Sequence, residues 1–396
     1  MPLRSLIFSF IILTFYSCSS VSINKLVEVN AEEDWLYIGG DPAKTNISRS
    51  KNLLEPPFNL YWEFDADGGL AKNCLSASDA ILFANTLNGE FYAVDITTGK
   101  SLGRTSTLGK SSYSTPVIVG NNIVITSTGD KTSRIFGYDL GKGKSNWQRN
   151  ISWVESSPVL VNEDVVVAGL NGKIYKLNAL NGNIIWSTKP SKLNSVNNSF
   201  YTSPTVSGNI VLAGNIDGNM YAYELSSGKE LWKFKTDASI FSDASAWKGN
   251  IYFGSDDKNF YCIDTSGTLV WKKDLKTKFL SSPTFYNDNV IVSAIDGNVY
   301  SLETADGDLK WTSVTKGAIW ASPLLHKDKI FVGSFDRNFY CLNAEDGKQL
   351  WKYGCEGRIK TSAIIWKDYI FVASDEKYIY CFSNSERPKS TGGSGE

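Results

Sequence analysis

Histidine is nearly absent from this sequence, which contains only His326 among its 396 residues. A catalytic triad or a metal site built mainly from imidazole groups therefore has at most one side chain of the usual kind. Carboxylates recur mainly in turns, as Asp139, Asp264, Asp296 and Asp306 do, where hydrogen bonds to the nearby backbone account for them. We therefore predict no catalytic residue and no metal site.

An excess of charge of either sign is also missing. Lys and Arg together number 40 and Asp and Glu together number 41, which gives a formal net charge of −1. This balance argues against a broad electrostatic attraction to phosphate backbones or anionic membranes. We therefore expect no nucleic-acid partner.

Long apolar runs are limited to one stretch, Leu6 to Tyr16, which is shorter than the roughly 20 residues of a membrane-spanning helix. It follows Arg4 and ends just before Cys18, the layout of a secretory signal. The cysteine resembles that of a bacterial lipobox, although Phe15 and Tyr16 depart from the usual pattern. We predict export to the periplasm and lipid attachment at Cys18 that anchors the protein to the outer membrane. A plain signal peptide is the alternative.

What the sequence contains in abundance is a repeat. An aromatic residue in segments such as "NFYC" recurs eight times at intervals of 39 to 46 residues, and a glycine-containing turn follows it in seven copies. Six copies carry a tryptophan ten or eleven residues after the aromatic, and one more tryptophan precedes the first copy. We predict that these tryptophans dock neighbouring repeats together; they are Trp62, Trp147, Trp186, Trp232, Trp271, Trp311 and Trp351.

Each copy contains four short segments with the aromatic and β-branched content of strands, and none has helical periodicity. About forty residues in four strands predict an all-β fold, an eight-bladed β-propeller that is monomeric. The eighth copy lacks its fourth strand, so the strand around Trp62 is predicted to close the last blade. The expected domains are a signal peptide (1–17), a lead-in segment (18–58), the propeller (59–384) and a disordered tail (385–396).

The spacing small-x-Asp-x-x-x-Gly-x-x-x-Trp, as in "YCLNAEDGKQLW", resembles the pyrroloquinoline-quinone-type propeller repeat. One branch of that family comprises quinone-dependent dehydrogenases, which use an adjacent Cys-Cys disulfide, calcium and a catalytic Asp. This chain has no Cys-Cys pair. The resemblance therefore implies the cofactor-free branch, which includes the propeller lipoprotein of the outer-membrane β-barrel assembly machinery. It implies a non-enzymatic envelope scaffold whose partners are envelope proteins, among them a barrel-inserting subunit. A quinone dehydrogenase, or an envelope binder of carbohydrate or peptide, is the alternative.

The cysteines fit this register. The residue after the aromatic is small in seven of the eight copies, and Cys262, Cys341 and Cys381 occupy that position in three of them. In this family a small residue there leaves room for a tryptophan, so we predict buried structural thiols rather than reactive ones. Cys74 and Cys355 fall outside the register, and a disulfide between them is left open.

The inner strands are expected to enter the ring three residues before the proline of a recurrent Ser-Pro, at the mouth of the central channel. Six residues at this position form a candidate binding surface, the channel mouth: Tyr113, Glu155, Tyr201, Phe241, Trp320 and Lys360. Aromatic and charged side chains there could bind a peptide or a small ligand. Packing between blades is the alternative.

A second candidate surface is the connector after the third blade, "STKPSKLNSVNNSFYTSP", which is about six residues longer than most others. Long loops on a rigid scaffold favour recognition. The family resemblance implies that this connector contacts the barrel-inserting subunit, and its candidate contact residues are Lys192, Leu193 and Phe200. A disordered polar insertion that binds no partner is the alternative.

Overall fold

A computed structural model describes residues 20–23, 27–106, 111–129, 133–191 and 198–385. These residues form 32 β-strands arranged as eight four-stranded sheets, and the described part of the chain has no α-helix. No helix long and apolar enough to cross a membrane therefore occurs within these ranges. The predicted eight-bladed all-β propeller is confirmed.

Seven blades consist of four strands that are consecutive in the chain, and the strand β1 (Asn59–Asp65) precedes them all. Blades 1 to 4 are β2 (Leu70–Ser78), β3 (Ile81–Thr86), β4 (Glu90–Asp95), β5 (Ser101–Ser106); β6 (Val117–Val119), β7 (Asn122–Ser127), β8 (Ser133–Asp139), β9 (Lys144–Ile151); β10 (Val159–Val161), β11 (Asp164–Ala168), β12 (Ile174–Asn178), β13 (Ile184–Thr188); and β14 (Thr205–Ser207), β15 (Ile210–Gly214), β16 (Asn219–Glu224), β17 (Glu230–Lys235). Blades 5 to 8 are β18 (Ser245–Trp247), β19 (Asn250–Gly254), β20 (Asn259–Asp264), β21 (Leu269–Asp274); β22 (Thr284–Tyr286), β23 (Asn289–Ser293), β24 (Asn298–Glu303), β25 (Leu309–Val314); β26 (Leu324–His326), β27 (Lys329–Gly333), β28 (Asn338–Asn343), β29 (Gln349–Gly354); and β30 (Ile364–Trp366), β31 (Tyr369–Ala373), β32 (Tyr378–Ser383) with β1.

The burial of each strand follows from its place in the blade. Middle strands pack against other blades on both faces, and β3 is accordingly buried along its whole length. Outer strands alternate between less and more exposed positions, as β17 does with the sequence "ELWKFK". The hydrophobic core therefore lies between the blades and continues around the ring.

The eighth blade is closed by the N-terminal strand, as predicted. Strand β1 pairs antiparallel with β32, from Asn59 opposite Ser383 to Asp65 opposite Tyr378. The chain therefore begins and ends its ring in the same sheet, which covers the edge that β32 would otherwise expose.

Tryptophans join most neighbouring blades in one recurring way. The indole N–H donates to a backbone carbonyl of the next blade, and the ring lies over the glycine of that blade's turn, where an added Cβ would come within 3.0 Å of it. The pairs are Trp62 with Ile96 and Gly99, Trp147 with Ala179 and Gly182, Trp186 with Leu225 and Gly228, Trp232 with Thr265 and Gly267, Trp271 with Thr304 and Gly307, and Trp311 with Ala344 and Gly347. Trp351 instead packs edge-on against Phe58 and Phe382, with ring centroids 5.2 and 5.3 Å away.

The seam between blades 1 and 2 lacks a tryptophan because Gly103 occupies its position, and the lead-in segment fills the space. An added Cβ on Gly103 would lie 2.9 Å from the carbonyl oxygen of Ser20. Val21 is fully buried there, and the amide of Ile23 donates to the carbonyl of Leu140 at 2.9 Å. Leu140 is the counterpart of the carbonyls that accept an indole N–H at the other seams. A backbone segment thus replaces the missing indole.

Replacing Val21 by Asp is expected to release this segment, because burying an unpaired carboxylate costs more than leaving the segment detached. Amide hydrogen exchange at Ile23 should then become at least about tenfold faster. Ser22→Asp is the matched control, since Ser22 is exposed and its neighbour's packing is kept. Equal exchange rates in the two variants would show that Val21 does not hold the seam.

The rest of the lead-in segment crosses one end of the central channel, where the inner strands finish. Its backbone carbonyls accept hydrogen bonds from the inner strands of blades 2, 4 and 5: Leu36 from Ile118, Pro42 from Val206 and Ala43 from Ala246. Further contacts reach blades 1, 6, 7 and 8 through Ala77, Thr284, Leu325 and Lys367. The lead-in segment therefore covers this end and leaves the channel mouth at the opposite end, where the inner strands begin.

Candidate functional site

The channel mouth contains a cavity of about 180 Å³. Four of the six predicted residues line it together, and they precede the inner strands of the consecutive blades 2 to 5: Tyr113, Glu155, Tyr201 and Phe241. The remaining lining residues are Ala71, Lys72, Asn73, Ser203, Asp243 and Leu280. Tyr201 and Phe241 form an aromatic wall, with ring centroids 5.6 Å apart.

The other two predicted residues, Trp320 and Lys360, do not line this cavity. The ammonium group of Lys360 lies 5.8 Å from the Trp320 ring and 3.0 Å from a carboxylate oxygen of Asp375. Trp320 also packs against Phe335, with centroids 4.8 Å apart. These two side chains therefore pack between blades 7 and 8, which is the alternative considered for the channel mouth as a whole.

Sequence reasoning missed the charged floor of the cavity. Lys44 of the lead-in segment is fully buried, and its Nζ lies 3.1 Å from Oδ2 of Asp243 and donates to the carbonyl of Ser203 at 2.6 Å. Burial lowers the pKa of Lys44 to about 8, and the nearby Asp243 carboxylate opposes that shift. Lys72, which donates to the carbonyl of Leu280, has its pKa lowered by burial in the same way, again against Asp243. The Asp243 carboxylate therefore stabilises the charged form of two desolvated ammonium groups, those of Lys44 and Lys72.

Asp243 stands in a belt of hydroxyl groups that joins the inner strands. The amide of Thr115 donates to Oγ of Ser157 and that of Ser157 to Oγ of Ser203, both at 2.9 Å, and that of Ser203 donates to Asp243 at 2.7 Å. The Ser of the recurrent Ser-Pro thus links blades. The sequence "FSDAS" breaks this motif, and that departure was the available signal for Asp243.

Glu155 differs from the other charged groups of the cavity because it is unpaired. Its side chain is partly buried, and within the described residues its carboxylate has no hydrogen-bond or ion-pair partner. Burial alone raises the pKa of Glu155. The cavity therefore has paired charged groups at its floor and one unpaired carboxylate, that of Glu155, in its lining.

The cysteines behave as the register predicts. Cys262, Cys341 and Cys381 lie opposite Trp271, Trp351 and Trp62 in the neighbouring strand, and all three thiols are buried. Burial raises the pKa of Cys262 and of Cys341 to about 12, so both stay protonated and unreactive near neutral pH.

The disulfide left open between Cys74 and Cys355 does not form in this structure. Both are free, buried thiols within one hydrophobic cluster. Burial raises the pKa of Cys355 to about 12, as expected of a structural thiol.

The connector after blade 3 corrects one prediction. Phe200 is fully buried against Tyr221, with ring centroids 6.0 Å apart. The prediction that its side chain is exposed and contacts a partner is therefore wrong. It occupies the same register as the buried Ile240 and Phe279, whose apolar character gave the missed signal. Lys192 and Leu193, like Cys18, lie outside the described residues.

The available side chains do not fit a calcium–quinone centre. No group of three or more His, Cys, Asp or Glu side chains able to hold a metal occurs among the described residues. The sequence contains no adjacent cysteine pair. His326 is buried beneath the lead-in segment, with Nε2 3.0 Å from the carbonyl of Asn52, and burial lowers its pKa.

Curated relatives of this chain include both assembly factors and an enzyme. The "Outer membrane protein assembly factor BamB" of Yersinia pestis is 23% identical over 67% of this chain and 67% of its own length. The "Tetrathionate hydrolase" of Acidithiobacillus ferrooxidans is 25% identical over 57% of this chain, which spans less than half (43%) of that relative's length.

Solved structures show the same fold at low identity. The crystal structure of BamB from Moraxella catarrhalis superposes with a TM-score of 0.68 and 16% identity, over 82% of this chain and 99% of that one. Quinohemoprotein alcohol dehydrogenase from Comamonas testosteroni superposes with a TM-score of 0.73 and 12% identity, over 91% of this chain and 82% of that one.

The match of a family model shows which family the chain belongs to. A family model described as "Outer membrane protein assembly factor BamB" matches residues 59–266, 217–319 and 313–387, which together cover more than three quarters of the chain and all eight blades. The chain therefore belongs to the family of pyrroloquinoline-quinone-type propellers described as outer membrane protein assembly factor BamB.

Proposed function

We propose that this protein is a non-enzymatic scaffold of the cell envelope that binds protein partners, among them the barrel-inserting subunit of the outer-membrane assembly machinery. The family match and the relatives named as assembly factors support this role. Its activity is docking, so it needs exposed recognition surface on a rigid ring rather than a catalytic constellation.

The observation that carries the proposal is a series of exposed aliphatic side chains on the outer strands. They occupy the one or two positions before the docking tryptophan in five consecutive blades, and are Ile184, Ile185, Leu231, Leu269, Val270, Leu309 and Leu350. Ile184 and Ile185 are each 48% exposed and lie on β13, which leads directly into the blade-3 connector. Apolar surface repeated on the rim of a soluble ring favours contacts with other proteins.

We also propose that a lipid on Cys18 holds the propeller at the outer membrane from the periplasmic side. Ser20 lies at the seam of blades 1 and 2, two residues after that cysteine. An extended chain spans at most about 3.6 Å per residue, so the Cα atom of the acylated cysteine would stay within about 7 Å of Ser20 at the seam. This short tether supports an orientation in which the rim of blades 1 and 2 faces the membrane.

Crosslinking in intact cells, followed by identification of captured proteins, tests the role. The wild-type protein is expected to capture an outer-membrane assembly protein, and Ile185→Glu combined with Leu193→Asp is expected to reduce that capture severalfold. Phe200 is left unchanged because it is buried. The intact mass of the same preparation should show acyl chains on the mature protein.

The matched control is Leu53→Glu, which places the same charge on the lead-in segment, away from the outer strands, at a side chain that is 64% exposed. It should capture partners as the wild type does, and all variants should keep the wild-type thermal midpoint. If the wild type captures no envelope protein, the scaffold role is wrong. Equal capture by the double variant would remove the blade-3 face from the docking surface.

A further inference from the structure

The mouth cavity has an asymmetric charge arrangement. Its floor is an internally paired cluster, since Asp243 contacts Lys44 and accepts the amide of Ser203. Lys72 already donates to the carbonyl of Leu280. Glu155 is the one carboxylate of the lining that has no partner within the described residues. A partly buried, unpaired carboxylate is unfavourable in the empty protein and is stabilised by a cation.

Aromatic side chains complete the site around that carboxylate. Tyr113 and Tyr201 are each 39% exposed, and Phe241 packs beside Tyr201 in the same cavity. The faces of such rings attract organic cations electrostatically, most strongly where water is partly excluded. A carboxylate with several aromatic rings is therefore selective for an alkylammonium group over a neutral or anionic one.

The size of the cavity limits what can enter. Its volume of about 180 Å³ is below the roughly 300 to 1,000 Å³ of sites that hold drug-sized ligands. One small amine or one inserted side chain fits that space. The lead-in segment covers the far end of the channel, so a ligand is expected to enter from the channel mouth, where Tyr113 and Tyr201 are exposed.

We propose that this cavity binds an organic ammonium group, with Glu155 as its counter-ion and with Tyr113 and the aromatic wall of Tyr201 and Phe241 around it. The ammonium group belongs either to a small free amine or to a lysine side chain presented by a peptide. This site is separate from the docking surface on the rim, and it does not depend on the scaffold role.

Ligand-observed NMR titration of the full-length protein tests the proposal with four probes. Butylammonium represents a free amine and Nα-acetyl-lysinamide represents a peptide side chain, while 1-butanol and butyrate are the neutral and anionic counterparts. Both ammonium probes, or one of them, are expected to bind more tightly than 1-butanol and butyrate. Binding of butylammonium alone would identify a free amine as the ligand, and binding of the lysine derivative alone would identify a peptide.

Glu155→Gln keeps the shape of the side chain and should weaken ammonium binding by about tenfold or more, since it removes the charged partner. Phe241→Leu should weaken binding severalfold through the lost ring. Glu163→Gln is the matched control, because Glu163 is an exposed carboxylate of the same blade outside the cavity. Equal binding of 1-butanol, preferred binding of butyrate, no binding of either ammonium probe, or unchanged binding in Glu155→Gln would each overturn the proposal.

Discussion

Deleting residues 60–65 is expected to unfold the propeller at physiological temperature. The deletion removes the strand that pairs with β32 and also removes Trp62, whose indole N–H donates to Ile96 at 2.7 Å and joins blade 8 to blade 1. Losing one such buried tryptophan alone costs about 3–5 kcal/mol. Since domains are stable by only about 5–15 kcal/mol, loss of the whole strand should exceed what the ring can tolerate. Circular dichroism melting measures the result.

Two comparisons make this expectation specific. Truncation from Arg387 onward should leave the thermal midpoint unchanged, because that end lies beyond β32. Trp62→Ala should lower the free energy of unfolding by about 3–5 kcal/mol. Trp153→Ala should lower it by less than about 1 kcal/mol, because Trp153 is 51% exposed. Equal midpoints for the deletion and the truncation would refute closure by β1.

The features of the fold that recur in every blade were predictable, because the sequence repeats them about every forty residues. The tryptophan register, the turn glycines and the small residues opposite each indole recur at nearly constant spacing, so a single blade explains the others. Lys176 is the one large residue at the position after the repeated aromatic. Its ammonium group lies 3.1 Å from a carboxylate oxygen of Asp164, so its charge is paired. The number of blades and the closing strand followed from counting.

The lead-in segment was not predictable in the same way because its contacts are unique. No repeat marks Val21 as the substitute for an indole, and Lys44 meets Asp243 from a position 199 residues earlier in the chain. Such pairings depend on how the segment crosses the assembled ring. Phe200 was misassigned for a different reason: the length of its connector suggested an exposed loop, although its register indicated a buried position.

Asp243→Asn is expected to destabilise the protein by about 3–5 kcal/mol at pH 7, because it leaves two desolvated ammonium groups without a counter-charge. Asp243 is buried, lies 3.1 Å from Nζ of Lys44 and opposes the burial that lowers the pKa of Lys72. Adding Lys44→Met to this variant should recover part of the loss, since it removes one of the unpaired charges. Urea unfolding of the single and double variants measures both effects.

The loss should also shrink as the pH rises. The pKa of Lys44 is about 8 in the folded protein, below the value of about 10.4 expected in the unfolded chain. The unfolded chain therefore binds more protons between these values, so the stability contributed by this group rises with pH and is lost as pH falls through the folded pKa. Without Asp243 that folded pKa falls further, and Asp243→Asn should regain stability between pH 7 and 9 more steeply than the wild type.

Asp288→Asn, at an exposed ion pair with Lys248, is the matched control and should cost less than about 1 kcal/mol at either pH. A loss as small as that for Asp243→Asn, or one independent of pH, would show that the buried lysines do not depend on this carboxylate.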